Sequence, residues 1–144
     1  MGTTVSTTMH RSDGTKLRQE VDPSTFFQVL GGFAIPYNDP LAATGSTIGD
    51  AAAIQATGIT KATGADGTVG VKLPATGGVG GVFIILNRAG AILKLYPDSA
   101  TGKINDGTSG AALSVAANTS VMIFCSTGAG ITNSLFYTLP LVPS

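Results

Sequence analysis

Few residues of this chain belong to the types that carry out catalytic chemistry. His10 is the only histidine and Cys125 the only cysteine, so an internal disulfide is excluded. A histidine-dependent triad or a metal site would need His10, in a polar N-terminal stretch, to meet partners that the sequence does not show. Cys125 lies in the apolar run VMIFCST, where burial disfavours the reactive thiolate. We therefore predict an inert core thiol at Cys125.

Two short strings approach catalytic motifs and then depart from them. Ser99–Lys103 ends like a phosphate-binding loop, but Pro97 replaces its first glycine and Ile104 its magnesium-binding Ser or Thr. Gly107–Ala111 approaches a nucleophile elbow, but Ala111 replaces the last glycine. Chance matches of this kind are expected in a chain with 20 glycines. We predict no catalytic residue, no cofactor and no enzymatic activity.

Four aspartates, Asp50, Asp66, Asp98 and Asp106, lie in separate predicted turns. Asp98 and Asp106 could approach each other and bind calcium through their carboxylates. Turn aspartates more often accept hydrogen bonds from nearby backbone amides. We therefore expect capping roles and no metal site.

The composition favours a protein that works in an assembly. The chain has 144 residues, only 11% charged residues and a formal net charge of zero, whereas solubility normally relies on net charge. Its eight basic residues are scattered, which argues against nucleic acid as a partner. No apolar run is long enough to span a membrane, and the polar first fifteen residues predict no secretory signal.

From residue 50 to residue 144 the pattern predicts an all-β domain. Short runs of β-forming residues recur about every ten residues between turns rich in Gly, Asp and Asn, which indicates an antiparallel β-sandwich or barrel, jelly-roll-like. Val82–Leu86 and Ile92–Tyr96 are expected to form a hairpin through the loop Asn87–Gly90. The predicted strands are Ala52–Thr60, Val69–Leu73, Val82–Leu86, Ile92–Tyr96, Lys103–Asn105, Ala112–Ala116, Val121–Ser126 and Leu135–Leu139.

Residues 1–49 are predicted to form an extended N-terminal arm. A polar start is followed by Asp22–Thr25, which could cap a short helix that Gly31 and Gly32 would end, and residues 38–50 read as a linker. Aromatic residues dominate interface energetics, so the aromatic part of the arm is expected to dock on another chain. The alternative, packing on the sheet of its own domain, stays open. The candidate docking residues are Phe26, Phe27, Leu30, Phe33, Ile35 and Tyr37.

Two predicted strands, within Val82–Leu86 and Val121–Cys125, are apolar on both faces. A strand with one solvated face should alternate apolar with polar residues. Burying one large apolar side chain contributes about 1.5–3 kcal/mol, so a second apolar face favours a cover by the arm or by another subunit. The residues expected on the outer side, at a subunit interface, are Phe83, Ile85, Met122 and Phe124.

Six segments in this order resemble a β-domain of structural proteins of tailed bacteriophages. They are Val69–Pro74 (VGVKLP), Leu86–Asn87, Leu93–Pro97 (LKLYP), Thr101–Gly107 (TGKINDG), Ser114–Asn118 (SVAAN) and Leu135–Leu139 (LFYTL). The resemblance is to capsid decoration (cement) and head-fibre-type proteins. The family's final aromatic segment often has a tryptophan, where this chain has Phe136 and Tyr137.

The resemblance implies a small, typically trimeric β-domain on the outer capsid surface of a virion. We therefore expect a decoration or cement protein that stabilises the head shell, with the major capsid protein and copies of itself as partners. A tail-fibre or head-fibre tip that binds a receptor or glycan is the alternative. A hydrolase is the third possibility and has no identifiable machinery in the sequence.

Overall fold

A computed structural model describes residues 35–55, 57–75, 79–127 and 133–140. These residues form strands, turns and bends without any helix. The strands are β1 (Tyr37–Ala42), β2 (Ala52–Ala53), β3 (Gly58–Thr63), β4 (Gly70–Lys72), β5 (Val82–Asn87), β6 (Leu93–Tyr96), β7 (Lys103–Ile104), β8 (Leu113–Val115), β9 (Ser120–Thr127) and β10 (Leu135–Leu139).

The strands form two sheets, and from β1 to β9 the chain alternates between them. One sheet has six strands in the order β1-β3-β5-β9-β10-β7, and the other has four in the order β2-β4-β6-β8. Because β1, β3 and β5 are parallel, as are β2, β4 and β6, the first six strands make three successive windings. Parallel neighbours need a crossover connection, and here a strand of the opposite sheet supplies it.

The described residues confirm the predicted β architecture, but the prediction of antiparallel sheets is wrong, because both sheets are mixed. Five of the eight strand pairings are parallel and three are antiparallel. The hairpin predicted across Asn87–Gly90 is also wrong, because β5 and β6 lie in different sheets. Hydrophobic alternation reports which side chains are buried, and it does not report which strand lies alongside.

The linker predicted at residues 38–50 is wrong over its first part, since β1 pairs with β3. A compact unit begins at Pro36 and includes β1. Asp39 and Pro40 argue against a strand at this position in the sequence, because both residue types are depleted in strands. β1 tolerates them because it is an edge strand with a register shift between Asn38 and Leu41. The predicted helix at Asp22–Gly32 lies outside the described residues.

The core is built from both sheets. Phe83 and Phe136 meet edge to face with ring centroids 6.5 Å apart, and the buried residues of β4, β6 and β8 belong to the same cluster. Cys125 is buried in this cluster, which confirms the predicted core thiol. The cluster comprises Ala43, Ile54, Ala62, Ala65, Val71, Leu73, Phe83, Ile85, Leu93, Leu95, Ile104, Val115, Ile123, Cys125 and Phe136.

The predicted outward side of β5 is wrong. Phe83 and Ile85, predicted to face outward, are 0% exposed and form part of the core. The outward set of β5 is Val82, Ile84 and Leu86. The two-residue period separates the two faces of a strand but does not say which is inside when both are apolar.

Candidate functional site

An apolar row crosses five strands of the six-stranded sheet on its outer side. Tyr37 pairs with Ile59, Ile59 with Ile84, Ile84 with Met122, and Met122 with Leu139. Paired residues on neighbouring strands project to the same side, so these five side chains lie next to one another. β1, β3, β5, β9 and β10 each contribute one of them.

A second line of apolar side chains lies two residues along the strands from the row. Val82 pairs with Phe124, and Phe124 pairs with Tyr137, whose ring centroid is 5.9 Å away. Leu86 projects to the same side of β5. Together with the row these residues define the apolar face: Tyr37, Ile59, Val82, Ile84, Leu86, Met122, Phe124, Tyr137 and Leu139.

The apolar face remains accessible at its centre and at both edges. Tyr37 is 59% exposed, Leu139 53%, Val82 38% and Met122 36%. These values are high for large apolar side chains, and they cluster on one side of one sheet. Such a contiguous patch usually marks an interaction site.

Charges lie only at the margin of the apolar face. Lys61 pairs with Leu86 at one end, and Lys103 pairs with Leu135 on the last strand. Tyr137 donates a hydrogen bond from its hydroxyl to Asp106 at 2.7 Å, and this bond raises the pKa of Tyr137 above its usual value. The interior of the face therefore buries no charge when another surface covers it.

The outer side of the four-stranded sheet is polar. Lys94 pairs with Gly70 and Ser114, and its ammonium donates to the Ser114 hydroxyl at 3.1 Å. Lys72 pairs with Tyr96, whose hydroxyl donates to the Ser46 carbonyl at 2.6 Å. The two outer surfaces thus differ, and only the six-stranded sheet presents an apolar one.

Several residues in the segments that resemble phage proteins form side-chain hydrogen bonds that stabilise turns. Asn87 is fully buried, and its amide nitrogen donates to the carbonyls of Ala91, Val115 and Ala116 at 2.9, 3.1 and 2.9 Å. Its side-chain oxygen accepts from the Ala89 amide at 3.1 Å. One side chain therefore fixes the corner after β5 and ties it to the end of β8.

Asn105 has a similar role between β7 and β10. It has a positive φ of 53°, and its side-chain oxygen accepts from the Thr138 amide at 2.9 Å while its nitrogen donates to the Thr138 hydroxyl at 3.0 Å. Nearby, the buried Ser134 hydroxyl donates to the Asp98 carboxylate. A Cβ on Gly102 would lie 2.6 Å from that carboxylate, so the glycine of the phosphate-loop-like string is required for packing.

The turn aspartates Asp50 and Asp66 cap nearby groups as expected. Asp66 accepts from the amides of Thr68 and Val69 at 2.8 and 3.0 Å, and Asp50 accepts from the Thr47 amide at 2.7 Å. The two amide bonds lower the pKa of the Asp66 carboxyl group. The pKa of Asp50 is lowered mainly by the Thr47 hydroxyl, which donates at 2.6 Å, and then by the Thr47 amide. Among the residues that the structure describes, no group of three or more His, Cys, Asp or Glu side chains could hold a metal ion.

An open groove of about 420 Å³ lies beside β1, where the first winding ends. Its lining carries no cation, and its polar groups include the Asp39 carboxylate and the Gln55 amide. The Gln55 nitrogen donates to the Ala53 carbonyl at 2.8 Å, which orients the amide. The Asn38 nitrogen donates to the Thr60 hydroxyl at 3.1 Å. The groove thus offers oxygen acceptors next to the partly exposed ring of Tyr37.

The predicted docking and interface residues fall into four groups, one of which, Phe83 and Ile85, is buried in the core. Tyr37 belongs to β1 and the apolar row, and Ile35 is half-buried just before it. Met122 and Phe124 lie on the apolar face, as predicted for the outer side of β9. Phe26, Phe27, Leu30 and Phe33 lie outside the described residues, as does His10. Shell docking by the aromatic residues stays a prediction.

Ile59, Val82, Ile84 and Leu139 lie on the apolar face but are not among the predicted docking or interface residues. The apolar character of both faces of β5 was a usable signal for Val82 and Ile84. No signal in the sequence could align Tyr37 and Leu139, because the row exists only through pairing of strands distant in the chain.

Comparison with protein-family models, curated proteins and solved structures finds no match for this chain. In the described part of the chain, no helix is both long and apolar enough to cross a membrane.

Proposed function

We propose that this chain is a non-enzymatic virion structural protein, a decoration or cement protein on the outer surface of a tailed-phage head. The observation that supports assembly is the apolar face on one sheet opposite a polar surface on the other. A protein that works alone in water rarely leaves such a patch uncovered. The phage assignment itself rests on the sequence resemblance.

Within this proposal the two sheets pack face to face as a sandwich, and the protein has two kinds of partner. Copies of the chain associate as a homotrimer, and the N-terminal segment attaches to the major capsid protein through Phe26, Phe27, Leu30 and Phe33. Contacts that exist only in the assembled state stabilise the shell by mass action. The polar outer side of the four-stranded sheet then faces solvent.

The test is the composition of purified virions. The chain should copurify at a copy number comparable with that of the major capsid protein. Virions that lack it should release their genome at a lower temperature, and adding the recombinant protein back should restore the original temperature. Absence of the chain from washed virions would rule out the proposal.

The groove beside β1 favours a second candidate function, a fibre tip that binds a neutral glycan. Sugars combine hydroxyl donors with an apolar ring face, which suits the Asp39 and Gln55 oxygens next to the Tyr37 ring. A glycan screen should then give hits that Asp39→Asn and Gln55→Ala abolish, while Asp50→Asn retains them. A screen without hits removes this candidate.

A further inference from the structure

We propose that the open edge of β1 binds an extended peptide segment of another protein, one that carries a lysine or arginine side chain. The segment hydrogen-bonds to the backbone of β1 and lies in the groove beside that strand. The site is at the end of the three windings and not on the apolar face, so it goes beyond the proposed function. The isolated chain is enough to test it, and the result is independent of any virion experiment.

The backbone of β1 directs hydrogen-bonding groups away from the sheet at two positions. In the described part of the chain, β1 is the edge strand of the six-stranded sheet. The Ile59 amide donates to the Pro36 carbonyl at 2.7 Å, in register with Tyr37, so the amide and carbonyl of Tyr37 itself point to the open side. Ala42 is placed in the same way beside Thr63. A further extended segment can therefore pair with β1.

The corresponding edge of the four-stranded sheet is already occupied by a side chain. The Ile54 amide donates to the Lys72 carbonyl at 2.9 Å and Lys72 pairs with Ala53, so the Ala53 carbonyl points to the open side of β2. The Gln55 side-chain nitrogen donates to this carbonyl at 2.8 Å. β2 is thus closed by its own chain, and among the described residues β1 has no comparable cap.

The middle of β1 limits the added segment to a few residues. Pro40 has no amide hydrogen, and the register shifts between Asn38 and Leu41. Both features block a long ladder, which protects the edge against unspecific pairing. The groove beside the strand has a volume of about 420 Å³, within the usual range of ligand sites. A short segment next to Tyr37 fits both the backbone and the groove.

The charge in the groove favours a basic segment. Among the described residues of its lining only Asp39 is charged, and it is exposed. A carboxylate attracts a lysine or arginine side chain and repels an acidic one. Exposed ion pairs add little affinity. Main-chain hydrogen bonds therefore supply most of the affinity, and Asp39 selects the sequence of the segment.

The surroundings of β1 also determine which residues should flank the basic one. Successive side chains of an extended segment point to opposite sides. If the basic side chain enters the groove at Asp39, its two neighbours lie beside Tyr37, at the end of the apolar row. We therefore expect apolar residues on both sides of the lysine or arginine.

The experiment is an NMR titration of the full 144-residue chain with two blocked peptides, Thr-Val-Lys-Val-Thr and Thr-Val-Glu-Val-Thr. The lysine peptide should bind with a dissociation constant about fivefold lower than that of the glutamate peptide. At saturation, hydrogen exchange of the Tyr37 amide should slow, because this amide gains a partner. The Ile59 amide, already bonded to the Pro36 carbonyl, should change little.

Two pairs of variants separate charge from backbone pairing. Asp39→Lys should reverse the preference, whereas Asp50→Lys, the same change of charge outside the groove, should retain it. Tyr37→Pro removes the outward amide without breaking a bond to β3 and should abolish binding of both peptides. Tyr37→Val keeps the amide and should still bind the lysine peptide. Circular dichroism shows that each variant is folded before it is titrated.

Four results would overturn the proposal. The first is absence of binding by both peptides, and the second is equal affinity of the wild type for the two. The third is a Tyr37→Pro chain that binds as tightly as Tyr37→Val. The fourth is a neutral glycan that shifts the signals of Asp39 and Gln55 while neither peptide does, which would assign the groove to a sugar.

Discussion

Asn87 shows how a single buried polar residue determines where the chain changes sheets. Its side-chain nitrogen lies within hydrogen-bond distance of three carbonyl oxygens from two segments that are far apart in sequence, and the side chain is completely shielded from solvent. Unsatisfied buried polar groups are costly, so these hydrogen bonds stabilise the corner after β5. The asparagine therefore supports the fold.

Asn87→Ala should destabilise the protein strongly. It leaves the carbonyls of Val115 and Ala116 without their partner, at about 1–3 kcal/mol for each group that stays buried and unpaired. Urea unfolding measures the free energy change. Arg88→Ala, at the exposed neighbour, is the control and should change stability by less than about 0.5 kcal/mol. Equal effects of the two substitutions would contradict the assigned role of Asn87.

Asp66 should contribute to the pH dependence of stability. Its pKa is lowered in the folded state, mainly by the hydrogen bond from the Thr68 amide and then by that from the Val69 amide. Its contribution is therefore complete above the unfolded-state pKa of about 3.9 and is lost as pH falls through the lower, folded-state value.

Acid titration of unfolding tests the role of Asp66. The wild-type free energy of unfolding should fall below about pH 4, and Asp66→Asn should reduce the steepness of that fall. From about pH 6 to pH 8 the difference between the two proteins should be constant. If Asp66→Asn leaves the pH dependence of the free energy of unfolding unchanged in acid, Asp66 does not contribute to that dependence.

At the scale of elements, close contact between strands explains one glycine. A Cβ on Gly70 in β4 would lie 2.3 Å from the Lys94 carbonyl oxygen and 2.8 Å from a ring carbon of Tyr96. Both atoms belong to the paired strand β6. The parallel pairing of β4 with β6 therefore depends on the missing side chain.

Gly70→Ala should therefore separate β4 from β6 and cost about 1–3 kcal/mol, the usual effect of overpacking. Gly90→Ala is a close control, since a Cβ there meets no atom within 4 Å and Gly90 has no positive φ. Chemical denaturation compares the two variants. If Gly90→Ala is as destabilising as Gly70→Ala, the loss of stability does not come from the close approach of β4 and β6 at Gly70.

At the scale of the whole molecule, the two faces of β5 separate folding from assembly. Phe83 packs against Phe136 inside the core, whereas Val82 and Ile84 lie on the apolar face. The same strand thus serves both functions through alternate residues. Substitutions one position apart should have different consequences.

Phe83→Ala should lower the free energy of unfolding by about 3–5 kcal/mol, because it removes a large buried ring and leaves a cavity. It should not weaken self-association of the molecules that stay folded. Thermal melts and sedimentation of the same sample measure the two quantities together. If Phe83→Ala were as stable as the wild type but no longer associated, Phe83 would lie on the side of β5 that takes part in assembly and not in the core.

The sequence by itself determined the features that depend on residue type and on short-range spacing. Gly, Asp and Asn at the turns, β-forming runs between them and the apolar neighbours of Cys125 predicted an all-β chain and a core thiol. The apolar excess in Val82–Leu86 and Val121–Cys125 predicted that a second surface needs cover. These features depend on residue type and on the two-residue period of a strand, which are both readable in sequence.

Only the tertiary structure decided which strands are neighbours, which direction they run and which side of β5 is inside. Tyr37 lies beside Ile59, and Ile84 beside Met122, through pairings between segments far apart in the chain. Strand pairing is a non-local choice made by the whole core, and the alternation within one strand fits parallel and antiparallel neighbours equally well. For that reason the apolar row became visible only in three dimensions.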